Sequence, residues 1–334
     1  MSAPPQIASR LPIWVDHALD GEASRTLADD ALDGLTQPLK QLAPKHLYDA
    51  RGAALFDDIC ELPEYYPTRT ERAILDRVAD QIIASSGAGE LVELGSGSAT
   101  KTRLLLDAMA RAGLLVRFVP VDVAERSVRE SAERLVAEYP GLAVHGLIGD
   151  FERHLDRLPP PQARRIIAFL GGTIGNFRPG SRRRFLRTTA ALLGADDRLL
   201  LGTDLVKDRA TLIAAYDDSA GVTAEFNKNM LRVLNRELGA SFDLDQFEHV
   251  ALYDERNQWI EMRLRARSPQ TVRLEAIDLT IDFAQGEDLL TEISAKLTRE
   301  RLEADLAAAG LELTDWYTDE RCWFALSLSR PARS

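Results

Sequence analysis

Cysteine is scarce in this chain. The two present, Cys60 and Cys322, stand far apart among 334 residues and neither belongs to a Cys-x-x-Cys pair. That spacing supports neither a disulfide framework nor a thiolate metal site. The five histidines (His17, His46, His145, His154 and His249) form no ligand pair at helical spacing, so no metal is expected. Positive charge is also in deficit, with 41 Lys and Arg against 52 Asp and Glu and a net charge of −11. A nucleic acid or an anionic membrane is therefore a poor partner. The one basic cluster, Arg182-Arg183-Arg184, is expected to be a solvated helix face. No apolar run is long enough to span a bilayer, and no secretory hydrophobic region is present. Repeats and low-complexity tracts are absent too. The expectation is a reduced, soluble, cytoplasmic protein.

With 45% apolar and 28% charged residues, the composition is that of an ordinary globular chain, and the length allows one or two domains. Residues before about Pro12 mix Pro, Ser and Ala and are expected to be loose. Helical spacing runs from Thr26 to Leu42 and again over 70–86. Short apolar runs then alternate with helical stretches: Leu91–Leu94, Val116–Val121, Ala143–Ile148, Arg165–Leu170 and Arg198–Asp204. Continuous apolar strands separated by helices predict a parallel sheet covered on both faces. After Asp208 the rhythm changes. Residues 209–238 are predicted to be helical throughout, with Tyr216, Phe226, Met230 and Leu234 on one buried face. Val250–Tyr253, Trp259–Ala266 and Val272–Phe283 alternate as antiparallel strands do. A helix over 299–309 and a hairpin, Glu312–Tyr317 with Trp323–Ser329, close the chain.

The most informative stretch is Leu91-Val92-Glu93-Leu94-Gly95-Ser96-Gly97, leading into Lys101 and a helix. A strand turns sharply into a helix there, with glycines where a side chain would block a ligand. The next strand ends in Asp122, placed to accept hydrogen bonds from a ribose diol. Gly149-Asp150-Phe151 follows in register after the strand beyond. A dinucleotide site wants a third glycine, but Thr100 occupies that position. Glu93 suits the cationic amino group of a methionine moiety better than a pyrophosphate. The pattern favours S-adenosylmethionine over NAD.

Methyl transfer from a sulfonium is an in-line displacement, so the protein chiefly positions a lone pair and excludes water. Two segments are candidates for that work. Leu170-Gly171-Gly172-Thr173-Ile174-Gly175-Asn176-Phe177 follows an apolar strand, where its glycines admit a ligand and Asn176 offers a donor and an acceptor. The other is aromatic: Tyr48 and Phe56, then Leu62-Pro63-Glu64-Tyr65-Tyr66-Pro67-Thr68-Arg69-Thr70. Its phenols suit a pocket wall for a carboxylate or a cationic amine, or else ordinary packing between lobes.

These stretches carry a resemblance. Tyr48-Asp49-Ala50-Arg51-Gly52, the Pro63-to-Glu71 string, Glu93-Leu94-Gly95-Ser96-Gly97, Gly172-Thr173-Ile174-Gly175-Asn176 and Leu201–Asp208 resemble the L-histidine Nα-methyltransferases of ergothioneine biosynthesis, from about residue 26 onward. The resemblance implies three methylations of the histidine α-amine, giving hercynine. It also implies that Gly95, Asp122, Asp150 and Phe151 contact the cofactor, joined by Glu93, Ser96, Gly97 and Lys101. Tyr65 and Tyr216 match phenols that hold the substrate carboxylate, and Asn176 matches the amide that orients the amine. Tyr48 and Phe56 match aromatics lining that region, beside Gly171 and Thr173. Asn176 and Tyr48 are the residues expected to serve the reaction itself. Thr291-Glu292-Ile293-Ser294 matches the acid and hydroxyl that grip an imidazole, with Met262 alongside. Ala295 stands where Cys is expected and Gly172 where Ser is expected; neither removes a polar contact to substrate.

The expected fold is α/β, a Rossmann-like class I methyltransferase sheet with a second, inserted α+β substrate-binding lobe. Its division is a tail with the start of the substrate lobe over 1–25, more of that lobe over 26–69 and the cofactor core over 70–207. The inserted lobe follows over 208–297, and a completing helix and hairpin over 298–330. A monomer acting on free L-histidine is expected. The rival readings are a methyltransferase for tryptophan or tyrosine, an NAD-dependent oxidoreductase, and a non-catalytic ligand sensor. Glu292 and Ser294 count against the first, Glu93 and Thr100 against the second, and Asn176 with the tyrosines against the third.

Overall fold

The structure, a computed structural model, describes residues 13–18, 26–97 and 101–333. The loose segment expected before Pro12 and the third motif position, Thr100, lie outside the described residues.

In chain order the elements begin with β1 (Ile13–His17), α1 (Leu27–Leu35), β2 (Lys40–Gln41), α2 (Ala50–Glu61) and α3 (Tyr66–Ser86). The alternating part follows: β3 (Glu90–Leu94), α4 (Thr102–Arg111), β4 (Arg117–Asp122), α5 (Glu125–Glu138), β5 (Ala143–Ile148), β6 (Arg165–Phe169), α6 (Pro179–Ala191) and β7 (Arg198–Asp204). Then come α7 (Arg209–Tyr216), α8 (Val222–Leu238), β8 (Phe247–Asp254), β9 (Trp259–Ala266), β10 (Gln270–Leu274), β11 (Leu279–Phe283) and β12 (Asp288–Ala295). The chain ends on α9 (Arg299–Ala307), β13 (Leu311–Thr318) and β14 (Phe324–Pro331).

The large sheet has eight strands in the order β1-β5-β4-β3-β6-β7-β14-β13. Strands β1 and β3–β7 run parallel, while β14 pairs antiparallel with both β7 and β13. From β3 the chain proceeds outward through β4 and β5, then returns to place β6 on the other side of β3. That reversal opens a crevice at the carboxyl ends of β3 and β6, where sheets of this kind bind ligands. One face is covered by α3 and α4, which bury Ile74, Leu75, Val78, Ile82, Leu105 and Met109. The positions on α3 follow the helical period, and the helix stops at Gly87, whose left-handed φ of 62° caps it.

A smaller sheet, β2-β12-β9-β8, stands beside it, and β10 and β11 form a separate hairpin. Its apolar core joins early residues (Leu35, Leu47, Ile59, Tyr65) to later ones (Tyr216, Met230, Met262, Leu289). Nonpolar burial is the main driving force for such packing, about 1.5–3 kcal/mol for each large side chain.

Several expectations change. Ile13–His17, placed by sequence in a tail leading to the substrate lobe, is an edge strand of the large sheet, paired with Val144–Ile148. Its partner lies too far along the chain for local pattern to reveal. The helix expected over 70–86 starts at Tyr66, because Pro67 sits in the first turn, where its missing N–H costs nothing. The single helix over 209–238 is two. Gly221 takes φ 75°, and Asp218 accepts from the amides of Val222 and Thr223 to start α8. Val272–Phe283 folds back on itself as β10 and β11, with Asp278 at φ 47° in the turn. Arg182 is no solvated residue. It is 1% exposed and bonds Asp305 at 2.8 Å, while Arg183 and Arg184 are exposed. Strand β12, predicted by no periodicity, is buried along nearly its whole length.

Candidate active site

The glycine-rich turn leaves the carboxyl end of β3. Gly95 and Gly97 have φ values of 71° and 47°, a region only glycine enters cheaply. The Gly97 amide donates to Asp122 at 3.0 Å, and the Ala124 amide donates to the other oxygen of the same carboxylate at 3.0 Å. Asp122 is thereby held at the tip of β4, facing the turn. Asp150 follows β5 and accepts from the Glu152 amide at 2.8 Å. Phe151 packs edge-on against Phe169, their ring centres 5.1 Å apart. Ser96 is buried and its hydroxyl has no partner. An orphaned hydroxyl in this turn fits a bound group that brings its own hydrogen-bonding atoms.

Glu93 and Lys101 are tied into the protein itself. Glu93 is buried and accepts from the Thr102 hydroxyl, and burial pushes its carboxyl up to about 7. Lys101 pairs with Glu71, which is fully buried. Glu71 also accepts from the Gly171 amide, at 2.8 and 3.0 Å. One carboxylate thus links the start of α4 to the loop after β6.

That loop forms one side of a cavity between the two sheets. Gly171, Thr173 and Asn176 line it from the large sheet, while Met262, Glu292 and Ser294 line it from the small one. Aromatic side chains close the remaining walls. Tyr48 packs against Phe56 at 5.5 Å and Phe226 at 5.3 Å, and Tyr65 against Tyr216 at 6.3 Å. Tyr65 and Tyr216 are buried, which raises both phenols and keeps them protonated as donors.

Strand β12 delivers the polar groups. Its register against β9 shifts between Leu290 and Glu292, a bulge that re-aims the residues beyond it. Glu292 and Ser294 follow with the two-residue period of a strand face. The Oε2 atom of Glu292 is buried without a partner, and burial pushes the carboxyl up to about 7. Leaving a buried carboxylate oxygen unpaired is costly, so the site fits a ligand N–H there.

The structure brings the substrate-side candidates around one cavity, and the cofactor-side candidates to the carboxyl ends of β3, β4 and β5. Sequence reasoning missed Glu71, Asp204, Phe226 and Lys296, and named Tyr66 only within the aromatic segment. Tyr66 donates to Asp204 at 2.9 Å, and Lys296 bonds Ser294 and Tyr216, both at 2.8 Å. Lys296 continues the alternation Glu292, Ser294, Lys296, the one signal that could have found it. Among the described residues no cluster of His, Cys, Asp or Glu could hold a metal ion, and no helix is long and apolar enough to cross a membrane.

The profile of the family described as "Histidine-specific methyltransferase, SAM-dependent" matches residues 27–331. A histidine N-alpha-methyltransferase of Mycolicibacterium smegmatis is 54% identical over 307 residues, covering 92% of this chain and 95% of its own. One from Mycobacterium tuberculosis is 48% identical over 314 residues, covering 94% and 98%. Ergothioneine biosynthesis protein 1 of Schizosaccharomyces pombe is 35% identical over 254 residues, 72% of this chain but 33% of that protein. The chain belongs to the histidine-specific, S-adenosylmethionine-dependent methyltransferase family.

Proposed function

We propose that this protein methylates the α-amine of free L-histidine three times, giving the betaine hercynine, with S-adenosylmethionine as methyl donor. The observation that carries the histidine reading is the buried, unpartnered Oε2 of Glu292, two residues from the Ser294 hydroxyl on one strand face. A carboxylate for a ring N–H and a hydroxyl for the other ring nitrogen distinguish imidazole from indole or phenol.

The cofactor supplies a methyl group on a cationic sulfur, which leaves as a neutral thioether. Asp122 holds the ribose hydroxyls, Gly95, Ser96 and Gly97 line the turn, and Asp150 and Phe151 border the base. Glu93 and Lys101 flank the amino-acid end. On the substrate side, Tyr65 and Tyr216 donate to the carboxylate, and the Asn176 amide directs the amine lone pair. Tyr48 and Phe56 wall the reacting nitrogen. No strong base is required, because a neutral fraction of the amine binds and each N–H proton departs to water. The aromatic walls tolerate the cationic charge that accumulates on nitrogen, so a partly methylated product can be methylated again. A monomer is the proposed working unit.

The test is incubation of purified protein with S-adenosylmethionine and an equimolar mixture of the twenty amino acids, followed by mass spectrometry. Histidine should gain up to three methyl groups while the others remain unchanged. Methylation of tryptophan or tyrosine in preference would overturn the histidine reading.

A further inference from the structure

Lys296 lies one residue beyond β12 and is fully buried. Its ammonium bonds the Tyr216 hydroxyl at 2.8 Å and the Ser294 hydroxyl at 2.8 Å, and pairs with Asp204 Oδ2 at 2.9 Å. An ammonium has three hydrogens and no lone pair. All three are therefore in use, and both hydroxyl oxygens must accept from it. Asp204 compensates the charge, and its carboxylate is also held by the Lys207 ammonium at 2.6 Å and the Tyr66 hydroxyl at 2.9 Å. Backbone bonds pin the position: Lys296 donates to the Gln258 carbonyl at 2.7 Å, and Leu297 to that of Asp204 at 3.0 Å.

With a cation on their inner side, the two hydroxyl hydrogens must point elsewhere. Tyr216 donates its hydrogen to Ser294 at 2.7 Å. Ser294 then accepts from both Lys296 and Tyr216, its two lone pairs are filled, and its own hydrogen is left for the cavity. If the substrate carboxylate draws the Tyr216 hydrogen away, Lys296 still fills the in-plane lone pair of the phenol, so Ser294 has no acceptor there and its hydrogen stays with the cavity. Ser294 therefore meets a ligand as a donor, while Glu292 on the same face meets it as an acceptor. A neutral imidazole has one N–H and one lone-pair nitrogen, so only one tautomer satisfies both groups.

We propose that Lys296 is a positioning residue, which sets Ser294 as a hydrogen-bond donor and thereby selects the imidazole tautomer whose lone-pair nitrogen faces Ser294. This rests on the histidine reading of the cavity and adds to it a residue that never touches substrate. Loss of Lys296 would free Ser294 to donate toward Tyr216 and present an oxygen to the ring.

The experiment compares kcat/KM for histidine with that for 3-(2-thienyl)alanine, whose ring is of similar size and has no nitrogen, in wild type, Lys296→Met, Ser294→Ala and the double variant. Wild type should prefer histidine, and Lys296→Met should shrink that preference about tenfold, the worth of one hydrogen bond. The double variant should lose no more than Ser294→Ala alone, because both changes remove the same contact. A merely structural Lys296 would lower both substrates equally and leave the ratio intact, which overturns the proposal. A wild type indifferent to histidine would instead overturn the reading of the cavity.

Should Lys296→Met fail to fold, wild-type protein with 15N-labelled lysine provides the same test. The Lys296 ammonium resonance should shift more when histidine is added than when 3-(2-thienyl)alanine is, and that difference should be absent in Ser294→Ala; equal shifts with the two ligands in wild type overturn the proposal. An ammonium that does not respond to histidine in wild type overturns the proposal.

Discussion

The phenol of Tyr216 donates to the Ser294 hydroxyl across 2.7 Å, tying the end of α7 to β12 on one side of the cavity. Both oxygens also accept from Lys296. Tyr216→Phe removes the phenol's donor and leaves one Lys296 hydrogen without a partner. The expected loss is about 2–3 kcal/mol, roughly 30- to 150-fold in kcat/KM for histidine. Affinity for S-adenosylhomocysteine, measured by calorimetry, should be unchanged. A variant with wild-type kcat/KM would remove Tyr216 from the substrate site.

Gly202 of β7 lies directly against Glu71, so that a Cβ there would run into the Glu71 carboxylate and approach Leu170 Cα at 3.3 Å. Gly202→Ala should push Glu71 away from the Gly171 amide and from Lys101. Overpacking of a filled interior costs about 1–3 kcal/mol. Thermal unfolding should show that loss, and KM should rise for both histidine and S-adenosylmethionine, since Glu71 touches both loops. Unchanged stability would mean that this contact is slack.

Burial raises the Glu292 carboxyl from its ordinary 4.5 to about 7. A raised carboxyl binds its proton more tightly in the folded chain than in the unfolded one. The empty protein should therefore lose stability as pH climbs from about 4.5 to about 7, by about 3 kcal/mol, and level off above. Glu292→Gln has no charge to bury and should remove this contribution, leaving the one that Glu93 makes in the same range. Denaturant titrations at pH 5 and pH 8 test it: the variant should gain on wild type only at the higher pH. An equal difference at both values would show that Glu292 is solvated.

How much of this was legible beforehand depended on the range of the interaction. The parallel strands, the glycine-rich turn and Asp122 were readable because a strand, a turn and a helix follow one another along the chain. Strand β1 was not, because it is only five residues long and its partner β5 is remote in sequence. Strand β12 escaped for another reason: both its faces are buried, and only its last residues, from Glu292 on, alternate polar with apolar. Glu292 looks like a surface charge until β9 and α7 enclose it. Arg182 looked like part of a basic helix face because its buried partner, Asp305, lies on α9. Lys296 was invisible for the same reason, since its three partners come from β7, α7 and β12.

Asp122 is held by two backbone amides at the tip of β4. Asp122→Ala should weaken S-adenosylmethionine and S-adenosylhomocysteine alike by about 1.5–3 kcal/mol, the range of a charge-assisted hydrogen bond. Calorimetry on both ligands measures it. Unchanged affinity would take Asp122 out of the cofactor site, and tight binding of NAD would overturn the choice of cofactor.

The central claim is that a buried carboxylate reads the imidazole. The most direct measurement is kcat/KM for histidine and for tryptophan with Glu292→Ala, alongside S-adenosylhomocysteine affinity as a control. The account predicts that histidine loses about 2–3 kcal/mol, roughly 30- to 150-fold, that tryptophan is relatively favoured, and that cofactor affinity stays as in wild type. A variant that keeps its full preference for histidine would contradict it.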